Sequence, residues 1–81
     1  MKFYTYILKS LKDNKYYYGH TQNINERLQN HNSGKVKSTK NRKPFVVIYK
    51  EEFNSKSEAY KREIFFKSYQ GYIYLKSKCI I

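Results

Sequence analysis

Cysteine, proline, tryptophan and acidic side chains are all scarce in this 81-residue chain, and each shortage removes a class of protein. The one cysteine, Cys79, forbids an intrachain disulfide, so a stapled secreted fold and a cysteine-ligated metal cluster are both excluded. A reducing, cytoplasmic setting is expected. One proline and three glycines, gathered into no linker or repeat, leave no compositional break and predict a single domain over residues 1–81. Long hydrophobic runs are missing too. The opening segment from Met1 to Lys9 is interrupted by Thr5 and by lysines, so it offers neither a signal-peptide core nor a membrane span and reads as a strand. Nothing in the chain calls for a small organic cofactor.

What is abundant is positive charge and tyrosine. Seventeen Lys and Arg against six Asp and Glu give a formal charge of +11, a field that suits a polyanionic partner, although a lysine-rich surface also serves solubility alone. Lys35, Lys37, Lys40, Arg42 and Lys43 fall within nine residues that show neither helical nor strand periodicity, as a cationic loop touching phosphates would. Ten tyrosines and five phenylalanines add buried area per residue to a core that must be thin in so short a chain.

Patterning predicts a small α+β domain. Residues 3–9 and 15–19 are aromatic and β-branched and flank the turn signal Asp13-Asn14, so they form an antiparallel hairpin with Tyr6 and Tyr17 on neighbouring strands. Asn23 with Glu26 opens a helix that ends near Gly34. Pro44 starts a third strand, Phe45–Tyr49, whose continuous apolar run predicts a central or well-covered position. Ser55 with Glu58 opens a second helix running from Lys56 to about Tyr69, with Gly71 ending it and one or two helical turns in the tail. The plan is β-β-α-β-α, a three-stranded antiparallel sheet flanked by helices, with a possible short C-terminal helix.

Within this plan the first helix carries an anomaly. Ile24, Arg27, Leu28 and His31 run i, i+3, i+4, i+7, so an arginine and a histidine share the inward face with two aliphatic residues. A guanidinium cannot shed its charge and a buried imidazole needs partners, so both are costly there unless something beneath the helix uses them.

With Tyr4-Thr5-Tyr6-Ile7-Leu8, then Tyr17-Tyr18-Gly19 eleven residues beyond Tyr6, then Arg27, His31 and Ser57-Glu58-Ala59-Tyr60-Lys61-Arg62-Glu63, the chain resembles a GIY-YIG nuclease domain over nearly its whole length, particularly the short standalone members. The chain departs from the pattern in several places: Thr5-Tyr6-Ile7 replaces Gly-Ile-Tyr, Tyr18 stands where an aliphatic residue is usual, His20 follows Gly19 where small residues or lysine are commoner, and the family's further Tyr or His beyond the first helix and its late Asn have no clear counterpart. The resemblance implies a metal-dependent endonuclease acting on nucleic acid, DNA by preference, directed by structure rather than by sequence. It also implies a catalytic set of Tyr6, Tyr17, Arg27, His31 and Glu63. In that set Glu63 holds one divalent cation, Mg²⁺ or another such as Mn²⁺, since no cluster of acids is available for two. Arg27 grips the scissile phosphate, Tyr6 takes the proton of water and Tyr17 positions that water, with His31 bonded to Tyr6 or to the water. An ordinary phenol is protonated at neutral pH, so Arg27, the cation and the basic loop are expected to favour phenolate at Tyr6.

Each residue has an ordinary reading when taken alone. Strand tyrosines pack, Arg27 snorkels, His31 fills a core position, and Glu63 pairs with Lys67 one turn on. Their coincidence in order and spacing is what outweighs those readings. The rival functions are a nucleic-acid-binding module on the same fold that no longer cuts and a small basic protein of a ribonucleoprotein.

Overall fold

The computed structural model describes all residues from Met1 to Ile81. Three strands and three helices follow the order β1 (Phe3–Ser10), β2 (Tyr16–Thr21), α1 (Ile24–Asn32), β3 (Phe45–Phe53), α2 (Lys56–Lys67) and α3 (Tyr69–Ser77). The sheet is antiparallel throughout, in the order β2-β1-β3. None of the helices is long and apolar enough to cross a membrane.

β1 is central because Thr5, Tyr6, Ile7 and Leu8 are buried in succession, which demands cover on both faces. Tyr6 and Leu8 pack with Phe45 against Ile24 and Leu28 of α1. Ile7 packs on the opposite face with Phe66 and Leu75 of α2 and α3. Of the two positions expected for the third strand, central or well covered, the central one is taken by β1, and β3 lies at an edge. Its apolar run is accommodated by a bulge, since Ile7 pairs with Tyr49 but Leu8 pairs with Val47. The extra residue turns adjacent Ile48 and Tyr49 toward the same cluster while Val47 faces the other.

Helix ends follow the local chemistry. The Asn23 side chain accepts the Glu26 amide at 3.0 Å. Gly34, at φ +81°, closes α1 with paired bonds from its own amide to the His31 carbonyl and from the Lys35 amide to the Asn30 carbonyl. Ser55 caps α2 through Glu58. α2 stops at Lys67, short of the expected Tyr69, and the short C-terminal helix expected in the tail is α3, which starts earlier because the Ser68 hydroxyl accepts the Gly71 amide at 3.1 Å. Gly71 therefore stands in the first turn of α3 rather than at the end of α2. A side chain there would collide with the Phe65 carbonyl, which is what the sharp break brings close. Arg62 fixes α2 in place by pairing with Glu51 of β3 at 2.8 Å and lying over the rings of Phe65, Phe66 and Tyr74.

Candidate active site

β2 forms a free edge of the sheet, and Gly19 in it makes room for Tyr6. This glycine pairs directly with Tyr6 of β1. A Cβ at Gly19 would stand 2.5 Å from the Tyr6 hydroxyl oxygen, so the missing side chain is what lets the phenol lie across β2 and reach its edge.

On the α1 face, Tyr6, Tyr17, Arg27 and His31 come together. The rings of Tyr6 and Tyr17 are 6.4 Å apart and those of Tyr17 and His31 are 4.6 Å apart, while His31 also packs on Phe45. His31 is fully buried, its Nδ1 lying 2.8 Å from the Thr39 hydroxyl. Three buried polar atoms here have no hydrogen-bond partner: the Tyr6 hydroxyl, Arg27 Nε and His31 Nε2. Each such atom costs about 1–3 kcal/mol unless water, a ligand or a small movement satisfies it, and for Tyr6 the Arg27 guanidinium lies close enough to act on its hydroxyl. Burial pushes the Tyr6 phenol up, and the Arg27 guanidinium beside it only partly offsets this. Of the charges expected to favour phenolate, Arg27 acts in that direction and is outweighed by burial. Burial, aided by the charge of Arg27, lowers His31, which favours a neutral imidazole.

Glu63 belongs to the other face. It projects from α2 and is 8% exposed. One carboxylate oxygen lies 2.7 Å from His20 Nδ1 and the other accepts a bond of 2.8 Å from Lys67. Burial by itself would raise this carboxyl, but the bonds from His20 and Lys67 outweigh burial and hold it below its ordinary value. Its charge reaches round the β2 edge far enough to contribute to the raised Tyr6 phenol. Between the faces opens a cleft of about 580 Å³ lined by Phe3, His20, Thr21, Gln22, Arg27 and Lys56. A second hollow, sharing His20 and Lys56, is completed by Ser57 and Tyr60.

This donor set fits a divalent cation of modest affinity. The ionised Glu63 carboxylate is bonded to His20, which lines the cleft, and no group of three or more His, Cys, Asp and Glu side chains is assembled, so the rest of the coordination shell would come from water or phosphate oxygens.

Of the five loop cations, Arg42 is turned inward. Its guanidinium pairs with Asp13 at 2.9 Å and lies over Phe45, while its carbonyl accepts the Ser10 hydroxyl. Lys35, Lys37, Lys40 and Lys43 are exposed. Reading the sequence missed Thr39, the buried partner of His31, and the part played by His20 and Lys56, whereas the i, i+4 pairing of Glu63 with Lys67 was legible. The signal for Lys56 was present too: Lys56, Tyr60, Glu63 and Lys67 stand at helical spacing on one stripe of α2. Thr39 had none, because it lies in a loop without periodicity.

The family model for the GIY-YIG catalytic domain matches residues 2–74. The UPF0213 protein SH2523 of Staphylococcus haemolyticus is 49% identical over 69 residues, covering 84% of this chain and 83% of that protein. The UPF0213 protein YazA of Bacillus subtilis is 43% identical over 63 residues, covering 76% of this chain and 63% of its own length. The solution NMR structure of the UPF0213 protein BH0048 from Bacillus halodurans superposes with a TM-score of 0.55 at 38% identity, over 95% of this chain and 84% of that one.

Proposed function

The chain belongs to the GIY-YIG family, a nuclease superfamily, and on that premise we propose that it is a divalent-metal-dependent endonuclease hydrolysing phosphodiester bonds in DNA. The observation that carries the reading is the trio of buried, unpartnered atoms on Tyr6, Arg27 and His31, set beside a cleft that also reaches Glu63 through His20. In this reading a single domain over residues 1–81 acts on the structure of its substrate rather than on base sequence, in a reducing cytoplasm.

Glu63 would hold the cation, Mg²⁺ or Mn²⁺, which supplies charge to a phosphate oxygen and lowers the pKa of bound water. Arg27, kept charged and aimed into the cleft, binds the scissile phosphate and meets the negative charge that develops there. Tyr6 and Tyr17 orient the attacking water through their hydroxyls. Because burial holds Tyr6 protonated and His31 neutral, the proton leaving that water comes to rest on the imidazole, at the free Nε2. Thr39, bonded to Nδ1, fixes the ring for that task.

Cleavage of linear, flap and branched DNA in Mg²⁺, with chelator as control, tests the proposal. Glu63→Gln should abolish cutting while leaving DNA binding in place, and Arg27→Ala should slow cutting on the order of 10²-fold or more. Glu63→Gln cutting at the native rate would refute the metal assignment. The second reading, a DNA-binding module that does not cut, draws on the engagement of both Glu63 oxygens by His20 and Lys67, and it predicts binding without cleavage under every metal condition.

A further inference from the structure

Glu63 has more basic company than its charge requires. Lys67, one turn further along α2, already occupies one oxygen at 2.8 Å and is enough to neutralise the carboxylate. His20 comes from a different element, the edge strand β2, and meets the other oxygen at 2.7 Å. Its side chain is 24% exposed and lines both hollows at the site, while the edge of its ring packs against Tyr60 at 5.4 Å and holds its orientation. An imidazole so placed, held by packing and open to the cleft, has the attributes of a metal ligand.

We propose that His20 and Glu63 are joint ligands of one divalent cation, and that this nitrogen donor makes the site prefer Mn²⁺ or another transition-metal ion to Mg²⁺. The proposal rests on the reading of Glu63 given above and adds the second ligand and the metal preference. Adjacent ligands of an octahedral ion, each about 2.1 Å from it, stand about 3 Å apart. The observed 2.7 Å is within a few tenths of an ångström of that spacing, and binding the ion would replace the His20–Glu63 hydrogen bond, with Nδ1 turned from the carboxylate oxygen to present its lone pair to the shared ion. Lys67 stays on its own oxygen, which leaves Glu63 to bind through one oxygen only. The preference follows from ligand chemistry: imidazole suits first-row transition metals, whereas Mg²⁺ takes oxygen donors.

The test is spectroscopic and needs no turnover. Electron spin-echo envelope modulation on the full chain loaded with Mn²⁺ alone should show coupling to a ¹⁴N nucleus in the native protein and in His31→Gln, but not in His20→Gln. Calorimetric titration should show Mn²⁺ affinity falling at least about tenfold in His20→Gln. Mg²⁺ affinity should move by less than about twofold, and circular dichroism should confirm that the variant is folded. An oxygen-only Mn²⁺ shell in the native protein, or the same Mn²⁺ affinity with and without His20, would overturn the proposal. If Glu63→Gln still abolished cleavage, the nuclease reading would survive that loss. If Glu63→Gln also left Mn²⁺ affinity unchanged and cutting intact, both readings would fall together.

Discussion

Replacing Gly19 by alanine isolates the contact that seats the Tyr6 ring against β2. The backbone at Gly19 does not need glycine's conformational freedom, since only Gly34 among the glycines has positive φ. In a strand of ordinary geometry alanine would even be favoured over glycine, by roughly 0.5–1 kcal/mol. Steric overlap reverses that sign. The added Cβ would lie 2.5, 2.6 and 3.0 Å from the Oη, Cζ and Cε2 atoms of Tyr6, where ordinary contact is about 3.5–4.0 Å. The ring must therefore retreat by about 1 Å. It has little room to do so, because Tyr6 is 1% exposed and packed with Leu8, Phe45 and Tyr17. Overpacking of this kind costs about 1–3 kcal/mol, and each kcal/mol lowers Tm by roughly 4–8 °C in a domain of this size. Catalysis should suffer separately, since a misplacement of about 1 Å can cost on the order of 10²-fold in rate. Urea unfolding and single-turnover cleavage read the two effects. Tyr6→Phe removes the nearest clashing atom, so the double variant should be more stable than the sum of the single changes implies. Native stability and native rate in Gly19→Ala would refute the claim that this gap admits the phenol.

Other consequences of the structure can be measured directly. Log affinity for duplex DNA should fall with log salt by a slope of about −0.9 per phosphate neutralised; Lys35→Ala with Lys37→Ala, in a Glu63→Gln background, should make that slope shallower by up to about two units, whereas identical slopes would make the loop a solvated connection. Arg42→Ala should change the slope little and instead lower stability, because its guanidinium is engaged with Asp13 and Phe45. His31 is harder to protonate in the folded chain, owing to burial and then to Arg27, so its contribution to stability is intact above its ordinary value of 6.5 and is lost as pH falls below it. Urea melts at pH 7.5 and 5.5 should show that loss in the native protein and a smaller one in His31→Gln; an equal loss would assign it to other groups. Thr39→Val should destabilise by about 1–3 kcal/mol by leaving the buried Nδ1 of His31 without a partner, and no change in urea midpoint would contradict the buried pairing.

Local chemistry legible in the sequence accounts for the elements and for the two tyrosines. The aromatic and β-branched runs of β1 and β2, the caps at Asn23 and Ser55, and the i, i+3, i+4, i+7 stripe of α1 depend on neighbours a few residues away, so they can be read along the chain. The polar residues of that stripe, Arg27 and His31, were conspicuous because burying them breaks a local rule. Long-range placement was not legible. That β3 takes an edge depends on a bulge opposite Ile7 and Leu8, which no propensity of Phe45–Tyr49 encodes. The break at Ser68 depends on how closely α3 passes the end of α2, and the pairing of His31 with Thr39 on a loop that crosses back under α1. The sign of the Tyr6 shift likewise belonged to the tertiary structure. Sequence can count the cations near a phenol, but desolvation depends on how much of the ring the fold encloses, and here enclosure outweighs charge. Glu63 shows the same division: its spacing from Ser57 and Glu58 was visible along one helix, whereas its bond to His20 exists only because α2 packs against the edge of β2.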